Sequence, residues 1–383
     1  MRRRNFIGRA GEFLSSMELT VFCIVALMIL VVACTLAQVQ LGVHLAVEKY
    51  IRSFFVWWNP GQGAVSIPIF PGGGAVGGLL LANLGMAQFR RLELSWRKAG
   101  LWIVHFGLAL LFIGEFATAF FQVESHLTIE EGQTVDFTED FRRMELAVID
   151  VSDPSSEEVR SIPDSMLRSR AEIAHASLPF VLRVRGFIDN AELSMRSAGS
   201  PPSGATAGVG VDVVARQVAP ASGEDRDVPA ALIEPVAADA RSYGVFLVSP
   251  ALGAPQGFTH AGRSWRLALR PRRYPLPFTL TLKDFRHDVY PGTDIPKNFS
   301  SQVRLRDPRS GDDRDVLIYM NSPLRHDGLT FYQSSFGKND TLSVLQVVRN
   351  PSWTLPYISC ILVTIGLLWH FVLMLRRTLG AAA

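Results

Sequence analysis

The chain has 383 residues, of which 48% are hydrophobic and only 19% charged, and its formal net charge is +3. Soluble globular chains carry about 25% charged residues, and the deficit here is concentrated in long uncharged runs, which excludes a purely soluble cytoplasmic protein. The three cysteines, Cys23, Cys34 and Cys360, all lie inside those runs, which excludes a secreted disulfide scaffold.

A helix crosses about 30 Å of hydrocarbon with roughly 20 apolar residues. In chain order, a basic N-terminus (1–18) leads into a predicted span at 19–41. A loop (42–66), a second span (67–89), a basic loop (90–99) and a third span (100–122) follow. A long segment (123–353) precedes the fourth span (354–375) and a short tail (376–383). The first uncharged run is longer than the 7–15 residues of a signal-peptide core, so an uncleaved anchor is expected. The second span opens Ile67-Pro68-Ile69-Phe70-Pro71-Gly72-Gly73-Gly74, a poor helix start, and a re-entrant segment is its alternative.

Lys and Arg in short flanks set orientation. Arg2, Arg3, Arg4 and Arg9 precede span one. Arg90, Arg91, Arg97 and Lys98 sit between spans two and three, and Arg376 and Arg377 follow span four. The loop 42–66 has only Lys49 and Arg52. Both termini and the 90–99 loop are therefore expected in the cytoplasm, and the large segment outside it. Residues 124–350 hold 26 Lys+Arg against 30 Asp+Glu. The positive whole-chain charge thus reflects the rims of the spans and gives no support for nucleic-acid binding.

The large segment reads as β. Short alternating runs lie within 126–150 and at 179–188, 209–216, 244–249, 263–270, 277–285, 301–306, 315–320, 329–334 and 342–348. Gly, Pro, Asp and Asn turns separate them, which predicts a sheet sandwich or barrel. A short helix is possible around 164–176, and 197–206 and 219–230 read as exposed loops. The expected fold class is an integral membrane protein with four transmembrane α-helices and a large all-β, sandwich- or barrel-like extracytoplasmic domain.

No phosphate-binding loop, Cys-x-x-Cys or His-Glu-x-x-His occurs, so no catalytic constellation is legible. Polar residues inside the spans are the stronger lead, because they are costly in lipid. His105 lies in Leu101-Trp102-Ile103-Val104-His105-Phe106-Gly107-Leu108. A neutral imidazole there suits a metal, haem iron included, or equally a hydrogen bond to a neighbouring helix. Gly100, Gly107 and Gly114 form a stripe suited to close helix packing. His105 points away from that stripe and shares its face with Trp102 and Ala109. Glu115 and His370 read as interfacial, and His44 with Trp57-Trp58 as part of an aromatic belt. His126, His175, His260, His287 and His326 show no metal-ligand spacing.

Other residues carry a family resemblance. They are Leu282-Lys283-Asp284-Phe285, Tyr290-Pro291-Gly292 and Pro296-Lys297-Asn298-Phe299-Ser300-Ser301, then Asn321-Ser322-Pro323-Leu324 and Phe331-Tyr332-Gln333-Ser334-Ser335-Phe336. With His105, Gly107-Leu108 and Ile113-Gly114-Glu115, the chain resembles the ResB (CcsB) family of System II cytochrome c biogenesis proteins. Cys34 and Ala37 depart from the family's pattern at the end of span one. The resemblance implies a bacterial cytoplasmic-membrane subunit that works with a CcsA/ResC-type partner. Together they would move haem b outwards and attach it to apocytochrome c, as parts of a haem lyase complex. It also implies that His105 is the haem axial ligand on this chain, with Trp102 and Ala109 beside it and the haem shared with the partner. The alternative is a membrane-anchored β-domain scaffold with no haem ligand of its own. No feature predicts a stand-alone enzyme.

Overall fold

The computed structural model describes residues 6–58, 66–91, 93, 95–169, 172–197, 199, 202–221, 226–293, 296–337 and 340–382. Arg2, Arg3, Arg4, Asn59 and Pro60 lie outside the described residues, as do parts of the loops expected at 197–206 and 219–230. The chain forms two compact units. One comprises the residues up to Val123 and from Arg349 onward, and the other most of the chain between them. The helices are α1 (Phe6–Leu14), α2 (Met17–Val47), α3 (Gly73–Arg91), α4 (Ala99–Phe121), α5 (Asp164–Arg168) and α6 (Leu355–Ala382).

In the helical unit, Ser16 caps α2 by accepting a hydrogen bond from the Leu19 N–H at 3.1 Å. Leu19, Cys23, Ala26 and Leu30 recur at helical spacing on its buried face and pack with Val56 and Val76. Gly42 breaks the helix with φ 76° and ψ 162°, a conformation in which a Cβ is not tolerated. The chain then enters a π-helical turn, Glu48–Arg52, and an antiparallel hairpin of β1 (Phe55–Trp58) and β2 (Ile67–Pro71). The start of α3 packs on the carbonyls behind it: a Cβ on Gly73 would lie 2.4 Å from the Ile51 carbonyl oxygen.

Three stretches are long and apolar enough to cross a membrane, at 17–52, 96–121 and 355–380. The span expected over 67–89 is instead two elements, strand β2 and the 19-residue helix α3, and α3 is not among the three. Pro68, Pro71 and Gly72 delay the helix, and five glycines with Asn83 and Gln88 dilute its apolar character. Among the described residues there are therefore three such helices where four are expected. Asn83 is buried and fully used. Its Nδ2 donates to the Leu14 and Ser16 carbonyls at 2.7 and 3.0 Å, and its Oδ1 accepts from the Thr20 hydroxyl at 2.7 Å.

Helices α4 and α6 touch backbone to backbone. Gly100, Gly107 and Gly114 are buried and face α6, where Cβ atoms on the first two would come within 2.6 Å of the Gly366 carbonyl oxygen and 2.8 Å of the Val363 side chain. Thr118 Oγ1 and Ser352 Oγ meet at 3.0 Å at one end of the pair, and Trp96 packs edge-on against Trp369 at the other.

The second unit is β-rich. Its strands are β3 (Val123–Glu130), β4 (Thr134–Asp150), β5 (Glu158–Pro163), β6 (Glu172–Ile173), β7 (Phe180–Ile188), β8 (Ala191–Met195), β9 (Val213–Gln217), β10 (Ala230–Ala237) and β11 (Phe246–Val248). They continue as β12 (Gln256–His260), β13 (Arg263–Val289), β14 (Pro296–Asp307), β15 (Asp312–Tyr319), β16 (Leu324–His326), β17 (Leu329–Gly337) and β18 (Leu342–Arg349). The main sheet has the order β15-β14-β13-β4-β3-β18-β17-β16, with β12 beside β13 and β5 beside β4. A four-stranded sheet, β11-β10-β7-β6, and the pair β8-β9 complete the unit.

Two long strands, β4 and β13, pass through both of its cores. In one core, Leu146 and Val148 of β4 and Trp265, Leu267 and Leu269 of β13 pack against Leu182 of β7 and Ile233 of β10. In the other, Phe278, Leu280 and Leu282 of β13 join Leu127, Val303, Phe331 and Val347. Between the cores the β4–β13 register shifts at Pro271/Arg273 and again at Pro275/Leu280, because prolines cannot donate to the ladder. Asp140 pins the bulge on β4. Its Oδ1 accepts from the Arg142 and Arg143 N–H groups, both at 2.9 Å, and its Oδ2 from the Tyr274 hydroxyl at 2.8 Å. Burial, then that hydrogen bond, pushes the Tyr274 pKa up.

Candidate functional site

His105 projects from α4 into a groove of about 340 Å³ that it lines with Trp102, Phe106 and Ala109 of α4, Gly85, Gln88 and Phe89 of α3, and Leu362 of α6. The His105 Nδ1–H donates to the Leu101 carbonyl at 2.7 Å. A carbonyl only accepts, so in the neutral imidazole this bond places the ring proton on Nδ1 and leaves the lone pair on Nε2. Carbonyl-anchored imidazoles of this kind are how metal-binding histidines are commonly oriented. Trp102 closes the groove at the end of α3, with its ring edge-on to Phe89 at 6.0 Å.

The helix pair explains why this face is open. Gly100, Gly107 and Gly114 turn toward α6, and at 100° per residue His105 falls on another face of the same helix. Trp102, His105 and Ala109 thus share one groove. His370 does not join them there. Its backbone N lies 2.8 Å from where a Cβ on Gly100 would sit, on the face packed against α6. Glu115 is exposed. Among the described residues no group of three or more His, Cys, Asp or Glu is placed to hold a metal ion.

Gln88 and Phe89 are groove residues that the sequence reading passes over. Gln88 carried a usable signal: it is a polar residue inside an uncharged run, the criterion that singles out His105.

In the β-rich unit, the residues that carry the resemblance divide between core and surface: Lys283, Tyr290, Pro291, Lys297, Tyr332, Ser334 and Ser335 are exposed. Leu282, Phe285, Leu324 and Phe331 are core residues. Asn321 sits at φ 64°, in the left-handed region that asparagine tolerates better than most residues. Gln333 completes a buried polar triangle. Ser301 Oγ donates to its Oε1 at 2.6 Å, and its Nε2 donates to Ser343 Oγ at 3.1 Å, while the two serine hydroxyls meet at 2.7 Å. Gln333→Leu leaves Ser301 and Ser343, both fully buried, short of partners. The expected cost is about 1–3 kcal/mol, read as faster amide hydrogen exchange in β14, β17 and β18.

Asp307 anchors the neighbouring turn. It accepts from Arg309 Nη2 and His326 Nε2, both at 3.0 Å, and from the Arg309 N–H at 2.9 Å. The Arg309 hydrogen bond, more than any other contact, holds its carboxyl far below the usual carboxylate range. A depressed folded pKa stabilises the fold above the unfolded value of about 3.9, and that stability fades as pH falls through and below it. Amide protection factors in β14 and β15, taken against the intrinsic exchange rate at each pH, are therefore expected to fall between about pH 5 and pH 2, and Asp307→Asn is expected to flatten that dependence.

Helices of membrane-spanning length joined to a large β-rich unit define the class of protein: a membrane-type chain with one substantial sheet domain. The model of the ResB-like family matches residues 256–344. The chain is also 34% identical over 106 residues to Protein NrfI of Wolinella succinogenes. That match covers 28% of this chain and 12% of NrfI, so the chain spans only about an eighth of that relative's length. Together the two matches support a ResB/CcsB family assignment, the one implied by the motifs between Leu282 and Phe336.

Proposed function

We propose that the chain is a ResB-type subunit of a cytochrome c maturation complex. It receives haem b within the cytoplasmic membrane and supports its covalent attachment to apocytochrome c, alongside a CcsA/ResC-type membrane partner. The observation that carries this reading is the His105 imidazole, with Nδ1 anchored to a carbonyl and Nε2 free, in an apolar groove.

The groove suits a haem as cargo. Iron takes an imidazole nitrogen as an axial ligand, and aromatic and aliphatic side chains suit a macrocycle's apolar faces. A Cβ built on Gly85 meets nothing within 4 Å, so α3 leaves space on its side. His105 would hold the iron, Trp102 would wall the site and the small Ala109 would keep it open. In this reading α3, about 29 Å long at 1.5 Å per residue, is a fourth crossing. It brings Arg90 and Arg97 to the same side as Arg9 and Arg376, the cytoplasm, and leaves the β-rich unit on the outer side.

The test is a visible spectrum of the chain purified with its partner. His105→Ala is expected to lower bound haem at least tenfold, by analogy with the 10–100-fold losses seen when even outer-shell partners of a ligand are removed. Added imidazole is expected to restore the Soret band. Unchanged haem would favour the second reading, a scaffold for the partner or the apocytochrome. That reading draws on the family match, which lies wholly in the β-rich unit, where Leu282, Phe285, Leu324 and Phe331 serve packing.

A further inference from the structure

Gln88 is 92% buried, and its amide oxygen Oε1 has no donor among the described residues. Its Nε2 donates to the Trp102 carbonyl at 3.2 Å. That bond fixes which end of the amide is free, since the flipped amide would set two oxygens against each other. Buried side-chain acceptors are rarely left unpaired in native proteins. Gln88 lines the same groove as His105, where two acceptors have no donor among the described residues: the Nε2 of the neutral His105 ring and the buried Oε1 of Gln88. Both can only accept.

We infer that Gln88 is a positioning residue of the groove, and that its Oε1 accepts a hydrogen bond from a carboxylic acid on the edge of the bound macrocycle. The inference rests on the reading of His105 as the iron ligand. Around the rim of haem b, methyl and vinyl groups cannot donate to oxygen, and the two propionic acid side chains can, when protonated. The groove selects that protonated form. Apart from His105 none of its lining residues is basic, so a carboxylate would find no cation there, and apolar surroundings favour the neutral acid. Iron held at His105 and one acid held at Gln88 fix the rotation of the macrocycle about the Fe–N bond, which neither contact does alone.

The test titrates the full-length chain with hemin and with hemin dimethyl ester, following the Soret band. The ester keeps the iron and the ring and lacks the acid proton. The wild-type chain is expected to bind hemin about five- to tenfold more tightly than the ester, the range of one good hydrogen bond. Gln88→Met, similar in length, is expected to bind both alike. His105→Ala is expected to weaken both and keep their ratio. Loss of the Trp102 tether alone would weaken both ligands equally in Gln88→Met, so a ratio unchanged from wild type in that variant overturns the inference. A wild-type chain that binds the two equally overturns it without any variant. If His105→Ala alters neither affinity, the iron-ligand reading itself fails and takes this inference with it.

Discussion

Glu145→Ala is expected to destabilise the β-rich unit by about 3–5 kcal/mol, the range found when one member of a buried ion pair is removed. Glu145 is 2% exposed and Arg270, whose Nε donates to it at 3.0 Å, is 19% exposed. The other carboxylate oxygen accepts from the Ser161 hydroxyl. The carboxylate therefore joins β13 on one side of β4 to β5 on the other, at a point where β4 is buried on both faces. Alanine leaves a largely buried guanidinium with one partner fewer and Ser161 without its acceptor. Glu145→Gln keeps the shape and an acceptor and is expected to cost less. The double replacement Glu145→Met with Arg270→Met removes both charges and is expected to recover much of the loss. Amide hydrogen exchange across β4, β5 and β13 reads all three, and equal exchange in Glu145→Ala and wild type would show that the pair contributes nothing.

Gly366→Val is the second large effect, expected in the helical unit. A Cβ there would lie 2.7 Å from the Gly100 carbonyl oxygen and 2.8 Å from the Val104 N. Both neighbours are backbone, so no rotamer change relieves the contact and the helices must separate. Overpacking typically costs 1–3 kcal/mol where side chains can shift, so a loss of about 3 kcal/mol or more is expected here. Separation also forfeits the close van der Waals contact that drives helix association in a membrane. The readout is thermal stability in detergent, with Gly78→Ala as the control, since a Cβ at Gly78 meets nothing within 4 Å. If the two substitutions lower stability equally, the α4–α6 contact is not the tight one described. If His105 holds haem iron as proposed, Gly366→Val is expected to weaken haem retention, because α4 carries His105, whereas Glu145→Ala, a substitution in the other unit, is expected to spare it.

The two classes of element were legible to different degrees. Uncharged runs of more than 25 residues announce α2 and α6, and a run broken only by Glu115 announces α4, because length and apolarity are local properties. The segment 67–89 misleads, because its apolarity is shared between a proline-bearing strand and a glycine-rich helix. Strands with one buried face, such as β7 and β18, show alternation. Strand β10 does not: Ala230–Ala237 is buried along nearly its whole length between β7 and β11, and a strand covered on both faces has no period of two. Likewise α5 stops after five residues, well short of the helix that 164–176 could form, because β6 begins at Glu172 and pairs with β7.

The sequence by itself determined that the chain is membrane-type, that its largest segment is β-rich, that His105 is an anomaly in an apolar helix, and that the motifs between Leu282 and Phe336 carry a family signature. Each of these is written in hydropathy, periodicity or residue order along the chain. Only the tertiary structure decided that Gly100 and Gly366 meet, that the Leu101 carbonyl leaves His105 Nε2 free, that Gln88 shares its groove, and that Gln333 closes a triangle with Ser301 and Ser343. Those relations join residues tens to hundreds of positions apart, or depend on which ring nitrogen holds a proton. Helix crossing and strand register set them, and neither is encoded at any single position.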